Sequence, residues 1–138
     1  MNPVFSVVVP AYNEEEVLPQ SFERLDAVLR GMGEPYELIF VDDGSRDGTA
    51  GILRDLAAAH PQVRTLHFSR NFGHQVAVSA GVDAARGDAI VIIDCDLQDP
   101  PELIPLMAEK WREGYEVVYG KRSQRDGETA MKKLTAWG

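Results

Sequence analysis

The sequence predicts an α/β fold, with a mostly parallel sheet and helices on both of its faces. Short apolar runs rich in β-branched residues alternate along the chain with segments of helical periodicity, the order typical of parallel strands joined by helical crossovers. One run, residues 89–93, is wholly apolar, as in a central strand covered on both faces. The length of 138 residues indicates a single compact domain.

The first strand and helix are predicted from residues 5–9 and from the segment after Pro10. Asn13 stands where it can cap this helix, with Glu16 in the capping-box position three residues later. Gly31 marks the end of the helix. Four residues at helical spacing form its apolar face: Leu18, Phe22, Leu25 and Leu29.

The remaining elements follow the same alternation. Pro61 and Gly87 end the second and third helices, and the pair Pro100 and Pro101 opens the fourth. Further strands are predicted at residues 36–41, 63–68, 89–93 and 116–119, and further helices at residues 48–59, 73–85 and 100–111.

The charge distribution argues against one function class and suggests a partner. The net charge is −8, which argues against a nucleic-acid binder, because such proteins need a basic face. Residues 1–120 hold 9 Lys and Arg against 20 Asp and Glu, a net charge of −11, whereas residues 121–138 hold 5 against 2, a net charge of +3. The basic segment indicates an anionic partner, with a solvated terminal segment as the alternative.

The cysteine content and the lengths of the apolar runs indicate the cellular compartment of the chain. The single cysteine, Cys95, cannot form an intrachain disulfide, which fits a reducing compartment. The N-terminal residues are a poor match to a signal peptide, and no apolar run approaches the roughly 20 residues that span a bilayer. We therefore expect the chain to be soluble, and its abrupt end at Gly138 suggests a piece of a longer protein.

Acidic residues follow the predicted strands, at the sheet edge where ligands bind in parallel α/β folds. Asp94 and Asp96 come directly after the apolar strand, and residues i and i+2 of an extended segment point the same way. Two converging carboxylates suit a hard cation, Mg²⁺ or Mn²⁺, with positions left open for diphosphate oxygens. The alternative is that one Asp caps the next helix and the other is solvated.

Other polar groups at this edge suit a nucleotide. Asp42 and Asp43 can accept hydrogen bonds from a ribose or a base, or can form an Asx-turn with Gly44 at positive φ. Tyr12 offers a flat face for a base, or is a half-buried core aromatic. Arg70 suits a phosphate, or forms a salt bridge with one of the acids.

Two other kinds of site are disfavoured. The glycine-rich phosphate loops of dinucleotide enzymes and P-loop ATPases are missing after the first strand. His74 and Cys95 lack an oxyanion hole and an orienting third group, so they do not indicate a nucleophilic dyad, and we expect His74 to cap a helix or to pack.

Five motifs together resemble the family 2 glycosyltransferases with the GT-A fold. Three of them, residues 7–15 (VVVPAYNEE), 41–45 (VDDGS) and 94–102 (DCDLQDPPE), are general to the family. The segment 69–75 (SRNFGHQ), and YGKR at 119–122 followed by RDGE at 125–128, resemble the polyprenyl-phosphate branch, which is related to dolichyl-phosphate mannose synthase and the bacterial undecaprenyl-phosphate sugar transferases. The resemblance covers nearly the whole chain.

The resemblance implies a Rossmann-like three-layer sandwich and a role for each matching residue. Asp94 and Asp96 match the Asp-x-Asp motif, and of the two Asp96 is expected to ligate the metal directly. Gln98 is expected near the sugar or diphosphate. Arg122 matches a position near the acceptor phosphate. The residues expected at the nucleotide are Pro10, Ala11, Tyr12, Glu14, Asp42, Asp43 and Arg70.

The implied activity is metal-dependent, inverting transfer of a sugar from a nucleoside-diphosphate sugar to a polyprenyl phosphate, undecaprenyl or dolichyl. The motif around Arg70 favours a UDP-sugar over GDP-mannose. Residues 1–120 would form the nucleotide-sugar core, and residues 121–138 would form a basic acceptor-loop segment. The protein would act at the cytoplasmic face of a membrane, which in a bacterium is the inner membrane. A homo-oligomer is compatible with this activity. The alternatives are a sugar nucleotidyltransferase and a non-catalytic nucleotide-binding or membrane-adaptor module.

Overall fold

The computed structural model describes residues 2–122 and 129–135, and its main body is a parallel four-stranded sheet in the order β3-β2-β1-β4. The predicted α/β class is therefore confirmed. The strands are β1 (Phe5–Ala11), β2 (Tyr36–Asp42), β3 (Val63–His67) and β4 (Ala89–Ile92). The helices are α1 (Leu18–Gly31), α2 (Thr49–Ala59), α3 (His74–Ala84) and α4 (Leu103–Arg112).

Helices cover both faces of the sheet, as the three-layer prediction requires. On one face, buried side chains of α1, α2 and α4 pack against alternate residues of the central strands, such as Val7 and Phe40. On the other face, Ala77 of α3 packs with Val8 and Val41. Because β1 and β2 are covered on both sides, nearly every residue in them is buried, and most of these residues are apolar.

The start of α1 differs from the prediction. The helix begins at Leu18 after Val17, and no side chain caps it, so the predicted Asn13–Glu16 capping box is wrong. Asn13 has a φ of 52°, a left-handed conformation, and its Oδ1 accepts a hydrogen bond from the Arg46 N–H at 2.8 Å. Asn13 therefore ties the loop after β1 to the loop after β2.

The chain ends in a second, separate sheet. β5 (Tyr115–Arg122) pairs antiparallel with β6 (Thr129–Thr135), so the predicted fifth strand exists but belongs to this hairpin. No strand was predicted where β6 lies. The division of the chain at residue 120, which falls within β5, stays a prediction. Among the described residues, no helix has both the length and the apolar character needed to cross a bilayer.

Candidate functional site

The order of the strands creates a crevice at the carboxyl edge of the sheet. From β1 the chain moves outward to β2 and β3, and then returns to place β4 on the other side of β1. Loops that leave β1 and β4 therefore diverge, and such switch points are where open α/β sheets bind ligands. A cleft of about 470 Å³ lies there. It is lined by Pro10, Ala11, Tyr12, Glu14, Asp43, Asn71, Gly73, His74, Asp94, Cys95 and Asp96.

Most of the predicted site residues line this cleft. Five of those expected at the nucleotide do so, together with both acids of the Asp-x-Asp motif. Tyr12 is 41% exposed, so its ring is available to a ligand and is not half-buried in the core. Asn71, Gly73 and His74 were not predicted as site residues, although their motif was recognised.

Four predicted site residues stand apart from the cleft lining. Asp42 is buried, and the guanidinium of Arg70 stacks over the Phe72 ring at 3.9 Å, with no ion pair to the cleft acids among the described residues. Gln98 comes two residues after the lining residue Asp96 in the sequence, and its backbone N–H donates a hydrogen bond to Asp96 Oδ1 at 3.3 Å. Arg122 ends β5, and its side chain lies outside the described part of the chain, as does the whole of Arg125.

The acids of the cleft are close enough to influence one another. The pKa of Glu14 is raised by burial and by the negative charges of Asp96, Asp47 and Asp94. A divalent cation would relieve this repulsion, and carboxylate oxygens are the ligands that Mg²⁺ and Mn²⁺ prefer. Within the described residues, no three His, Cys, Asp or Glu side chains form a metal site by themselves. The carboxylates of Asp94 and Asp96 are of the type that would hold such a cation.

Asp42 and Asp43 at the end of β2 have different partners. Asp42 Oδ1 accepts from the Ser45 N–H at 3.0 Å, and its Oδ2 lies 3.1 Å from His67 Nδ1. Gly44 has a φ of 72°, as the predicted turn requires. Both carboxylate oxygens of Asp42 thus already have partners within the protein.

The Asp43 carboxylate holds the loop between β3 and α3. It accepts hydrogen bonds from the Asn71 side-chain amide at 3.0 Å and from the backbone N–H groups of Phe72 at 2.8 Å and Gly73 at 3.1 Å. The side chain is buried, so these bonds offset the cost of removing its charge from water. Asp43 therefore shapes the cleft wall that carries Asn71.

His74 and Cys95 do not form a nucleophilic dyad. Burial, and then the charges of Glu14 and the two flanking Asp residues, raise the pKa of the Cys95 thiol to about 12. Its carbonyl accepts a hydrogen bond from Ser21 Oγ at 2.6 Å, which fixes the Asp-x-Asp segment to α1. The imidazole of His74, by contrast, is exposed and lies with Nε2 3.2 Å from Asp94 Oδ1.

Comparison with known proteins decides the family. The family model described as glycosyl transferase family 2 matches residues 6–136. The chain belongs to this family. A mannosyltransferase from Pyrobaculum calidifontis, solved with GDP-Man and Mn²⁺, superposes with a TM-score of 0.64 at 27% identity, over 80% of this chain and 32% of that one. The predicted GT-A fold is thereby confirmed.

Curated relatives in the family match almost the whole chain. The chain is 57% identical over 96% of its length to the uncharacterized glycosyltransferase YkcC of Bacillus subtilis, and 44% identical over 95% to the prophage bactoprenol glucosyl transferase homolog of Escherichia coli. It is 43% identical over 87% to an undecaprenyl-phosphate 4-deoxy-4-formamido-L-arabinose transferase of Pseudomonas fluorescens. The chain spans only 41%, 43% and 36% of these three relatives.

Proposed function

We propose that this chain carries the donor site of a glycosyltransferase that moves a sugar from a nucleoside-diphosphate sugar to a polyprenyl phosphate. The observation that carries the proposal is the cleft at the β1/β4 switch point, whose lining includes both the exposed Tyr12 and the two acids Asp94 and Asp96. An aromatic face suits a base, and paired carboxylates suit a cation on a diphosphate. Relatives named for bactoprenol and undecaprenyl phosphate support the acceptor class.

The donor would lie across the cleft from base to diphosphate. Tyr12 would stack on the base beside Pro10 and Ala11, and the end of β2 at Asp42 and Asp43 would face the base or ribose. Glu14 would lie between the nucleotide and the metal end, and Arg70 is the cation on the β3 side that suits a phosphate. A UDP-sugar is the favoured donor, with GDP-mannose the second, as in the P. calidifontis complex.

Asp96 and Asp94 would hold Mg²⁺ or Mn²⁺, which when bound would stabilise negative charge on the departing diphosphate. The raised pKa of Glu14 supports this assignment, since an added positive charge offsets the repulsion among the acids. Of the two, Asp96 would ligate the metal directly. The Ser21 hydrogen bond to the Cys95 carbonyl would keep the two carboxylates at a constant position.

The reaction would be a single displacement with inversion. An oxygen of the lipid phosphate attacks the anomeric carbon and forms the new C–O bond while the bond to the nucleoside diphosphate breaks. The acceptor needs no strong base, because a phosphate monoester with a second pKa of about 6 is already anionic at neutral pH. Gln98 would contact the sugar or diphosphate, and Arg122 would bind the acceptor phosphate.

The basic segment would place the site at a membrane. Residues 121–138 carry a net charge of +3, and each basic residue near an anionic surface contributes about 1 kcal/mol of attraction. The membrane would be met from the cytoplasmic face. Sedimentation with anionic and neutral vesicles tests this: we expect binding to anionic vesicles, reduced by Lys132→Ser with Lys133→Ser, and equal sedimentation with both lipids would contradict it.

The two alternatives predict different outcomes. A sugar nucleotidyltransferase would need a glycine-rich phosphate loop after β1, where this chain has Tyr12-Asn13-Glu14. A non-catalytic module would bind nucleotide or membrane without turnover.

A transfer assay tests the function. The protein is incubated with Mn²⁺, polyprenyl phosphate and a labelled UDP-sugar or GDP-mannose, and the lipid fraction is measured. We expect label in the lipid fraction with wild type and a loss of at least about 100-fold with Asp96→Asn, by analogy with removal of one charge-stabilising group. Equal turnover by Asp96→Asn would contradict the metal role, and nucleotidyl transfer to a sugar phosphate would favour the first alternative.

A further inference from the structure

His74 lines the cleft at the start of α3 and contacts one of the two acids of the Asp-x-Asp motif. Its Nε2 is 3.2 Å from Asp94 Oδ1, and both side chains are at least half exposed. Within the described part of the chain, no second side chain donates a hydrogen bond to the Asp94 carboxylate. An exposed pair of this kind contributes little to folding stability.

The position of His74 is set by the loop that precedes it. Asp43 binds the N–H groups of Phe72 and Gly73, and Gly73 has a φ of 109°, a conformation that favours glycine. His74 is then the first residue of α3, which packs on the sheet through Ala77. The imidazole therefore stands at the start of a helix that is fixed both by the Asp43 hydrogen bonds and by the packing of Ala77.

Asp96 is oriented in a different way. Its Oδ1 accepts the N–H of Gln98, two residues later, and Leu97 between them has a φ of 56°. The two acids of the motif are thus set by independent contacts, one local and one from α3.

We propose that His74 is a positioning residue that fixes the Asp94 carboxylate for metal binding through an Nε2–H···Oδ1 hydrogen bond, on a loop held by Asp43. The proposal rests on the proposed donor site. Because a carboxylate is only an acceptor, the imidazole must carry its proton on Nε2, which leaves Nδ1 without one in the neutral ring. Groups that orient metal ligands in this way are worth about 10–100-fold in metal affinity or activity.

The test compares the effect of Mn²⁺ on nucleotide affinity in wild type, His74→Ala and His74→Gln, with UDP and GDP as probes. We expect His74→Ala to lower the Mn²⁺-dependent gain in affinity, taken for each variant as the ratio of the affinities with Mn²⁺ and in EDTA, by about 10–100-fold. His74→Gln, whose amide N–H can replace Nε2–H, should restore most of the gain. The control His60→Ala removes a histidine that stacks on Phe22 away from the cleft and should behave as wild type.

Nitrogen-15 NMR of the histidine rings gives a readout independent of nucleotide. We expect the His74 Nε2 to be protonated in the metal-free protein and its resonance to move in Asp94→Asn.

Three outcomes would overturn the role of His74 and leave the proposed donor site standing. They are an unchanged Mn²⁺-dependent gain in nucleotide affinity in His74→Ala, a gain in His74→Gln no larger than that in His74→Ala, and an unprotonated His74 Nε2. If Mn²⁺ does not change the nucleotide affinity of the wild-type chain, both the proposed donor site and the role of His74 are wrong.

Discussion

The Asp43 carboxylate accepts a hydrogen bond from the Asn71 side-chain amide at 3.0 Å and thereby joins the loop after β2 to the loop after β3. The two loops approach closely because Gly44 has no side chain: a Cβ there would lie 2.2 Å from the carbonyl carbon of Arg70. One wall of the cleft is therefore built by contacts between loops that are distant in sequence.

Replacing Asp43 by Asn should loosen this wall. The amide keeps one acceptor oxygen but turns an NH₂ group toward the N–H donors of Phe72 or Gly73, so at least one partly buried donor loses its partner. We expect a loss of about 1–3 kcal/mol in the free energy of unfolding, measured by urea denaturation. Asp83→Asn, at an exposed position of α3, is the matched control, and equal stabilities of the two variants would contradict the role given to Asp43.

Two helical glycines should respond in opposite ways to substitution by alanine. At Gly81 in α3, a Cβ would lie 2.3 Å from Val8 Cγ1 and 3.2 Å from Val41 Cγ2, so Gly81→Ala requires either α3 or the Val8 side chain to shift. We expect a destabilisation of about 1–3 kcal/mol. At Gly51 in α2 nothing lies within 4 Å, so Gly51→Ala should stabilise by about 0.5–1 kcal/mol through helix propensity. Urea unfolding of both variants checks the difference in sign; a stable Gly81→Ala would refute the close contact.

Glu37 is a buried carboxylate on β2 with a full set of donors. Ser6 Oγ donates at 2.6 Å, the Arg86 N–H at 2.7 Å and Arg64 Nη1 at 2.8 Å. Burial alone would raise the pKa of Glu37, but these hydrogen bonds lower it from 4.5 to about 2. The network joins three strands of the sheet to the segment before β4.

This lowered pKa predicts a loss of stability in acid. The unfolded chain takes up a proton near pH 4.5 and the folded chain only near pH 2, so the contribution of Glu37 is complete above pH 4.5 and disappears as the pH falls to about 2. At about 1.4 kcal/mol per pKa unit, it amounts to about 3 kcal/mol.

Glu37→Gln should therefore be less stable than wild type by about 3 kcal/mol at pH 7, and the gap should narrow by about 2 kcal/mol at pH 3. Denaturant unfolding at the two pH values measures both, with the exposed Glu23→Gln as control. A gap that does not change with pH would contradict the assignment.

Cys95 should be unreactive in the folded protein. The thiol is buried and its pKa is raised to about 12, so at pH 8 it is almost wholly protonated and out of reach of reagents. We expect reaction with a thiol-specific disulfide reagent to be at least about 100-fold slower in the native protein than in urea, in proportion to the population of open forms. Comparable rates in the two states would show that this segment opens readily.

Strand and helix order could be predicted because the core pattern is local. The runs around Val7, Leu38 and Ile90 are apolar in sequence and buried in the structure or packed against its core, and their order alone places the acids at one sheet edge. The motif acids Asp94 and Asp96 could be assigned to the cleft for the same reason.

The features that sequence reasoning missed depend on contacts between distant segments. Asn13 looks like a helix cap, but a hydrogen bond from the Arg46 N–H, 33 residues away, holds it in another loop. Asp43 and Asp42 are adjacent and chemically identical, yet only the three-dimensional position of the 68–73 loop makes one of them its anchor. β6 has no continuous apolar run that would mark it as a strand in the sequence, and in the structure it pairs with β5.

Calorimetric titration of the chain with UDP and with GDP, each with and without Mn²⁺, tests the central claim most directly. We predict that one nucleotide, UDP in the favoured case, binds the wild-type chain more tightly with Mn²⁺ than without it, and that Asp96→Asn loses this gain. Absence of binding by either nucleotide, or binding that ignores both Mn²⁺ and the Asp96 substitution, would contradict a metal-assisted donor site in this cleft.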